Sequence, residues 1–255
     1  MGHPGDKWDA LIERVQSDAL LWFSDIQEEW LDLLWTLDAY RRESTPPARM
    51  GNPKARPRPR LAGIYRGKGN WFAQIVALLL ENQTTQVIAP RNRIQGFSQT
   101  HQIDVAWPDR KVDPLICVET KVTGGPPYGS HNARGALNDW SNRRKELKFA
   151  ATDLKLYRRG METRIDHWDQ WRTNESPSVY LLWAARLGPS ETVEDIVQEA
   201  QSLTNSYLDG AGVLCWQEAV DGTSYELVNL PNQARVHELD DVLYRIATAI
   251  QQGTT

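Results

Sequence analysis

The chain has 255 residues, of which 40% are hydrophobic, and this composition excludes a wholly disordered protein because it is sufficient to bury a substantial interior. The longest aliphatic run, residues 75–80, is far too short to span a bilayer, and the N-terminus has no basic-then-apolar signal pattern. Cys117 and Cys215 lie in apolar runs that favour small buried thiols over a disulfide. We therefore expect a protein of the reducing cytoplasm with no membrane partner.

The formal net charge of −4 is distributed very unevenly along the chain. Residues 41–189 carry a net charge of +12, whereas residues 1–40 carry −7 and residues 190–255 carry −9. Phosphate backbones are bound by local Lys and Arg surfaces rather than by whole-molecule charge, so a nucleic acid is expected to lie on the middle segment. The alternative is a solvated surface on which the charges mix in three dimensions.

The N-terminal third of the chain changes character near residue 44. Residues 7–40 are predicted to be helical, because apolar residues recur at helical spacing and no Pro or Gly interrupts them. Residues 44–69 are rich in proline, glycine and arginine and are predicted to form an extended basic arm or linker. Such an arm could follow a DNA groove or simply connect two parts. We therefore divide the chain into a helical segment 1–43, this arm, and a core domain 70–255.

The core domain is predicted to alternate strands and helices. A helix from about 70 to 84 precedes strands over 102–106 and 115–122, which are expected to pair as an antiparallel hairpin. The remaining predicted elements are a helix over 133–157, a strand over 178–185, a helix over 190–207, strands over 212–217 and 223–229, and a helix over 237–251. This order predicts an α/β fold with a mixed central sheet flanked by helices.

Three charged residues fall on the two strands of the predicted hairpin. Side chains alternate across a strand, so Glu119 and Lys121 share one face, and the hairpin places Asp104 beside Glu119. Burying these charges in a sheet is costly unless they are paired or bind a metal, and a hard divalent cation with oxygen ligands is one such partner. The alternative is a salt-bridged cluster on a solvent-facing sheet.

These residues also carry a family resemblance. QIDV at 102–105 and ICVETK at 116–121 supply an Asp, a fourteen-residue gap and Glu-x-Lys, and they resemble the PD-(D/E)XK nucleases. The resemblance covers roughly residues 70–185 and departs from the family at Ile103, where proline is usual. It implies a restriction-endonuclease-like core, here with an N-terminal helical extension. It also implies a Mg²⁺-dependent DNA nuclease in which Asp104, Glu119 and the Thr120 carbonyl hold the metal while Lys121 positions the attacking water.

Glu81 is a fourth candidate for the catalytic and metal-binding set, because many family members place an acidic residue on the helix before the Asp strand. The alternative is an exposed Glu where that helix ends. No P-loop, GxGxxG or GxSxG motif occurs in the sequence, so no nucleotide cofactor is expected. The histidines lack ligand spacing, and zinc is therefore not expected either.

Candidate DNA-contacting residues lie on the segments around the hairpin and on the helix that follows it. They are Arg91, Asn92, Arg93, Gln102, His131, Asn132, Arg134, Arg143, Arg144 and Lys148. Arg and Asn side chains are suited to phosphate oxygens and to base edges. Arg144 and Lys148 form one helix face with Lys155 and Arg159, which either contacts phosphates or is an ordinary solvated face.

The leading hypothesis is a sequence-specific, type II restriction-type endodeoxyribonuclease acting on double-stranded DNA in a prokaryotic cell. The alternatives are a structure-specific repair or recombination nuclease and a DNA-binding module of the same fold that does not cleave. Cutting both strands commonly requires two centres, so the apolar residues within 20–37 are interpreted as a homodimer surface. Packing of these residues on the chain's own core is the alternative.

Overall fold

The central feature of the computed structural model is a mixed sheet of seven strands in the part of the chain that it describes, namely residues 3–44, 58–109, 111, 114–127, 132–138, 140–163, 177–231 and 237–253. The strands are β1 (Pro90–Gln95), β2 (Thr100–Trp107), β3 (Ile116–Thr123), β4 (Ser178–Arg186), β5 (Gly210–Glu218), β6 (Tyr225–Val228) and β7 (His237–Glu238). The helices are α1 (Pro4–Ser17), α2 (Gln27–Ser44), α3 (Arg58–Thr84), α4 (Trp140–Thr163), α5 (Val193–Thr204) and α6 (Leu239–Gly253). The predicted α/β class with a mixed sheet is confirmed.

The strand order explains how the hairpin joins the rest of the sheet. Strands β1 to β6 are neighbours in sequence order, and β7 pairs with β5. The first three strands are antiparallel, as predicted for β2 and β3, while β3, β4 and β5 run parallel. Parallel neighbours need a crossover, which α4 provides between β3 and β4 and α5 provides between β4 and β5. The hairpin is thereby held against a strand buried on both faces.

Two hydrophobic clusters lie on the two sides of the sheet. One contains the apolar faces of α1, α2, α3 and α6, and the other contains those of α4 and α5. Trp140 at the start of α4 stacks on Trp183 of β4 with ring centroids 3.7 Å apart, and the Trp183 indole N–H donates to the Thr123 hydroxyl. The stacking contact holds the start of α4 against β4. Cys117 and Cys215 are free and buried, as predicted.

The N-terminal helices pack on the core of the same chain rather than forming one uninterrupted helix. The prediction of a continuous helix over 7–40 is wrong, because α1 ends at Ser17 and Leu20 has a positive φ of 58°. A short 3-10 turn at Phe23–Asp25 then leads into α2. The backbone N–H of Phe23 donates to Asp240 Oδ1 of α6 at 2.7 Å. This contact from a distant helix stabilises a break that has no local Pro or Gly signal.

A buried polar contact also joins the N-terminal segment to the core. Lys68 Nζ of α3 lies 2.6 Å from both carboxylate oxygens of Asp38 in α2, and the Tyr225 hydroxyl of β6 donates to Asp38 at 2.7 Å. The neighbouring Trp30 and Leu34 are fully buried. Of the apolar residues on which the homodimer prediction rested, Leu20 is 66% exposed, and the others are buried against the chain itself, as the alternative interpretation expected. The homodimer stays a prediction.

Two further boundaries differ from the prediction. Helix α3 begins at Arg58, so residues 58–69 of the predicted arm are helical, and Pro59 is compatible with a first turn whose N–H groups lack intrahelical partners. Residues 45–57 of the arm lie outside the described residues. Helix α4 begins at Trp140 rather than near 133, because Arg134 forms a backbone bridge with Gly125. None of the described helices combines the length and apolarity needed to cross a membrane.

Candidate active site

Asp104 lies where β2 separates from β3. The paired residues run from Trp107 with Ile116 to Val105 with Val118, and the ladder stops before Asp104. There the Asp104 carboxylate accepts hydrogen bonds from the Thr120 backbone N–H at 2.8 Å and from its hydroxyl at 3.0 Å. The carboxylate thus satisfies a backbone donor that a carbonyl of β2 would satisfy in a longer ladder.

The alternation of side chains in β2 shifts at the same place. Ile103 packs in the cluster with α4 and α5, whereas Val105 packs in the cluster on the other side of the sheet. In a regular strand these residues would share a face. Opposite Asp104, Arg91 has a positive φ of 65° and interrupts the pairing of β1 with β2. Irregularities of this kind re-aim a side chain, so the predicted regular alternation from Gln102 to Ala106 does not hold.

Lys121 bridges the two carboxylates. Its Nζ lies 2.6 Å from Glu119 Oε2 and 3.6 Å from Asp104 Oδ2. Burial raises the pKa of the Glu119 carboxyl, and Lys121 opposes this rise without cancelling it. Burial works to lower the pKa of Lys121, but the Glu119 and Asp104 carboxylates outweigh this effect and the pKa is raised. Lys121 is therefore an ammonium near neutral pH, which makes it a donor rather than a base.

An open cleft of about 280 Å³ lies between these residues and α4. Asp104, Glu119 and Lys121 line it from the sheet, and Glu146 and Phe149 line it from the helix. The predicted catalytic trio is thus brought together by the structure in a space that is open to a ligand. The Asp104 side chain is the most exposed of the three at 26%, against 11% for Glu119 and 14% for Lys121.

A second pair of titratable residues borders the cleft and was not predicted as part of the site. His101 lines the cleft, and its Nε2 lies 2.7 Å from Asp153 Oδ2 of α4. Asp153 also accepts a hydrogen bond from the Ser98 backbone N–H at 2.8 Å. Burial alone would raise the pKa of Asp153, but the hydrogen bonds from His101 and Ser98 lower it overall. His101 and Asp153 are separated by 52 residues in the chain, so no local sequence pattern links them.

The carboxylates of the cleft suit a hard divalent cation. Among the described residues, nothing donates to Asp104 Oδ1 or Glu119 Oε1, so each carboxylate retains one oxygen for a ligand. No group of three or more His, Cys, Asp or Glu residues with metal-binding geometry occurs in the described part of the chain. A cation held here would therefore keep several water ligands, which Mg²⁺ tolerates well. The predicted role of the Thr120 carbonyl stays a prediction.

The structure does not bring Glu81 to the cleft. Its carboxylate accepts a hydrogen bond from the Ile88 backbone N–H at 2.8 Å, just beyond the end of α3. Helix α3 packs on the side of the sheet opposite α4, and Glu81 does not contribute to the cleft wall. One oxygen of the Glu81 carboxylate thus has a partner at the end of its own helix, and the structure gives no support to the prediction that Glu81 belongs to the metal site.

Comparisons with known proteins add no relatives. No protein-family model, curated protein or solved structure matches this chain. The resemblance to PD-(D/E)XK nucleases therefore rests on the motif residues, and the restriction-endonuclease-like core stays a prediction.

The basic face predicted on α4 is turned toward α5 rather than toward the cleft. Arg144 pairs with Glu199 of α5 at 3.0 Å, and the Lys148 ammonium lies 4.7 Å from the centre of the Tyr207 ring. Lys155 pairs with Asp209 at 2.8 Å. The side chain of Arg159 lies outside the described residues. Arg144, Lys148 and Lys155 thus form contacts within the chain and do not line the cleft. Their contact with DNA stays a prediction.

Arg143 differs from Arg144 in its surroundings on α4. Its side chain is exposed to solvent, and it does not line the cleft. Its positive charge opposes the rise in the pKa of Lys121 as the smallest of the causes that act on that lysine. The contact of Arg143 with DNA stays a prediction.

The predicted residues of β1 and β2 have different surroundings. Asn92 is buried and donates to the Ala89 carbonyl at 2.6 Å, so its role is structural. Arg93 borders a separate open cavity of about 460 Å³ at the edge of the sheet. Gln102 lines the catalytic cleft and donates to the Arg91 carbonyl at 2.6 Å. Only Gln102 of this group therefore reaches the cleft.

The loop after β3 holds the last predicted contacts. The backbone of Arg134 exchanges hydrogen bonds of 2.8 and 2.9 Å with Gly125 and so forms an isolated antiparallel bridge outside the named strands. Asn132 is exposed. His131 lies outside the described residues, so its predicted role is untested. None of these observations places the loop at the cleft, and its contact with DNA stays a prediction.

Proposed function

We propose that this chain is a Mg²⁺-dependent endodeoxyribonuclease that hydrolyses DNA phosphodiester bonds at Asp104, Glu119 and Lys121. The observation that supports this most is the convergence of these side chains in an open cleft where β2 and β3 separate. A solvent-facing salt-bridge cluster, the alternative, does not fit side chains of Glu119 and Lys121 that are 11% and 14% exposed. Buried charges of this kind contribute little to stability, which favours a functional reason for them.

Each residue of the trio has a chemical role in this proposal. Hydrolysis of a phosphodiester requires stabilisation of negative charge on the non-bridging oxygens and a positioned water. Asp104 and Glu119 would hold the cation, which supplies that charge neutralisation when bound. The Lys121 ammonium donates to a phosphate oxygen or orients the attacking water. Thr120 fixes the Asp104 carboxylate through Oδ2, so that Oδ1 is left for the cation.

The finer form of the proposal is a restriction-type enzyme that recognises a sequence in double-stranded DNA. Such an enzyme commonly acts as a pair of subunits, with one centre for each strand. The surface predicted for that pairing is buried within the chain, as the complete burial of Trp30, Leu33 and Leu34 shows. This observation favours a second candidate, a structure-specific nuclease that acts as a single copy.

Cleavage of a mixed-sequence plasmid tests the proposal. The full chain is incubated with supercoiled DNA in Mg²⁺, with EDTA as the blank. We expect cleavage by the wild type and none by Asp104→Asn or Glu119→Gln, since each removes a ligand that acts on the transition state. Glu81→Gln is the matched control, because Glu81 lies away from the cleft and its variant should cut like the wild type.

The product pattern separates the candidates. Discrete fragments would indicate a recognition sequence, whereas nicking or a smear would indicate a structure-specific or nonspecific enzyme. A preparation that binds DNA but cuts none, in either Mg²⁺ or Mn²⁺, would contradict the proposal and favour a non-cleaving DNA-binding module. Loss of cleavage in Glu81→Gln, with wild-type folding, would mean that the metal site is not the one described.

A further inference from the structure

Phe149 is an exposed aromatic ring in the wall of the catalytic cleft. Its side chain is 48% exposed, and it lines the cleft together with Asp104 and Glu119. Isolated apolar residues on a surface need no explanation, but this ring lies in the wall of the cleft that holds Lys121 and the two carboxylates.

A chain of contacts holds the Phe149 ring in place. The ring meets His101 edge to face, with centroids 5.5 Å apart and an angle of 62° between the planes. His101 is in turn fixed by Asp153, which also anchors the backbone of Ser98. Phe149 therefore has a defined orientation while half of its surface remains open. A rigid aromatic side chain loses little conformational entropy when it binds a flat partner.

We propose that Phe149 is a stacking site for an unpaired nucleobase next to the scissile phosphate. This inference rests on the proposed nuclease function, because the trio would place a phosphate, and hence a nucleotide, in the same cleft. Every base has a π-face, so stacking on an aromatic side chain is tolerant of sequence. A base within a duplex is already stacked on its neighbours and must leave the stack to reach such a ring.

The substrate class that follows is DNA with an unpaired nucleotide at the cleavage site, such as a single strand, a flap or a flipped base. If the protein is a structure-specific nuclease, the stacking site limits its expected substrates to DNA with an exposed base.

Fluorescence of 2-aminopurine tests the stacking site separately from cleavage. A single-stranded oligonucleotide containing this base, and the same strand in a duplex, are titrated with the full chain carrying Asp104→Asn to prevent cleavage. We expect tighter binding and stronger quenching for the single strand. Phe149→Leu should weaken single-strand binding about ten-fold and reduce the quenching, whereas Phe149→Trp should retain both. Tyr244→Leu is the matched control, because Tyr244 is an exposed aromatic residue on α6, on the other side of the sheet.

The outcomes separate this inference from the proposed function. Equal affinity for single strand and duplex, with Phe149→Leu behaving as the parent protein, would overturn the stacking site while leaving Mg²⁺-dependent cleavage by the wild type intact. A different outcome is that quenching depends on Phe149 while the wild type cuts no DNA. That result would support the stacking site and contradict the proposed nuclease activity. Thermal unfolding of each variant shows whether a loss of binding reflects a loss of folding.

Discussion

Asp104 accepts hydrogen bonds from both the backbone N–H and the hydroxyl of Thr120, at 2.8 and 3.0 Å. The residue between Glu119 and Lys121 thus orients the carboxylate on the neighbouring strand. Groups that orient a metal ligand commonly change metal affinity or activity by about 10–100-fold when they are removed. The hydrogen bonds between Thr120 and Asp104 therefore give a direct prediction for the Mg²⁺ dependence of the proposed cleavage.

We expect Thr120→Val to raise the Mg²⁺ concentration needed for half-maximal cleavage by about ten-fold or more, because Asp104 loses one of its two donors. Thr123→Val is the matched control on the same strand. It leaves the buried Trp183 N–H without its acceptor and should lower the free energy of unfolding by about 1–3 kcal/mol without changing the Mg²⁺ requirement. Equal Mg²⁺ titrations for Thr120→Val and the wild type would contradict this role of Thr120.

Removal of Lys121 should destabilise the protein in a pH-dependent way. Lys121→Met leaves the buried Glu119 without its cation, which costs up to about 3–5 kcal/mol in the free energy of unfolding near neutral pH. Burial raises the pKa of Glu119, and Lys121 opposes this rise, so removal of Lys121 should raise that pKa further. The loss should therefore be greatest above the pKa that Glu119 has in the variant and should shrink as the pH falls from there toward the wild-type pKa, because protonation neutralises the unpaired carboxylate.

The double variant Glu119→Gln with Lys121→Met provides the comparison. Replacing both members of a buried pair is often neutral or stabilising, so this protein should be at least as stable as the wild type but inactive. Urea denaturation between about pH 5 and pH 8 measures both effects. A double variant as unstable as Lys121→Met alone would show that the ion pair itself stabilises the fold.

Asp153 should stabilise the protein through its ionised form. Its pKa is lowered because hydrogen bonds from His101 and Ser98 outweigh the effect of burial. This contribution is present above the ordinary pKa of an Asp and is lost as the pH falls through the lowered value in the folded protein. Asp153→Asn should lower the free energy of unfolding by about 1–3 kcal/mol at neutral pH, and the difference should narrow in acid.

Denaturant titrations of the wild type and Asp153→Asn at neutral and acidic pH measure this effect. Asp9→Asn, which changes an exposed carboxylate on α1, is the control and should show no comparable loss. A stability difference that stays constant down to the most acidic pH would mean that ionisation of Asp153 is not responsible.

Arg143 and Arg144 are adjacent in sequence but should have different effects on DNA binding. Arg143 is exposed to solvent, whereas Arg144 pairs with Glu199. We expect Arg143→Gln to weaken binding and to reduce the slope of log affinity against log salt concentration by about one, since one phosphate contact is lost. Arg144→Gln should leave the slope unchanged. The reverse result would move the DNA to the α5 side of the helix.

The elements with strong local patterns were predictable from the sequence. The apolar runs of β4 and of the first half of β3 are visible because burial on both faces of a strand imposes a continuous apolar run. Strand β1 was missed, since it lies at the sheet edge and Ile94 is its only buried hydrophobic residue. The break at Leu20 was also missed, because Asp240 and other distant residues stabilise it. Neither feature leaves a periodic signal.

The convergence of Asp104, Glu119 and Lys121 was predictable for a similar reason, and its surroundings were not. Glu119 and Lys121 share a face because the period of a strand is two, and that fact needs no tertiary structure. Which basic residue of α4 meets the cleft depends on the rotation of the helix about its axis, where neighbours differ by about 100°. Stacking of Trp140 on Trp183 holds α4 against β4, and its start at Trp140 lies close to Arg143 and Arg144. Only tertiary packing could therefore leave Arg143 exposed to solvent while Arg144 pairs with Glu199 of α5.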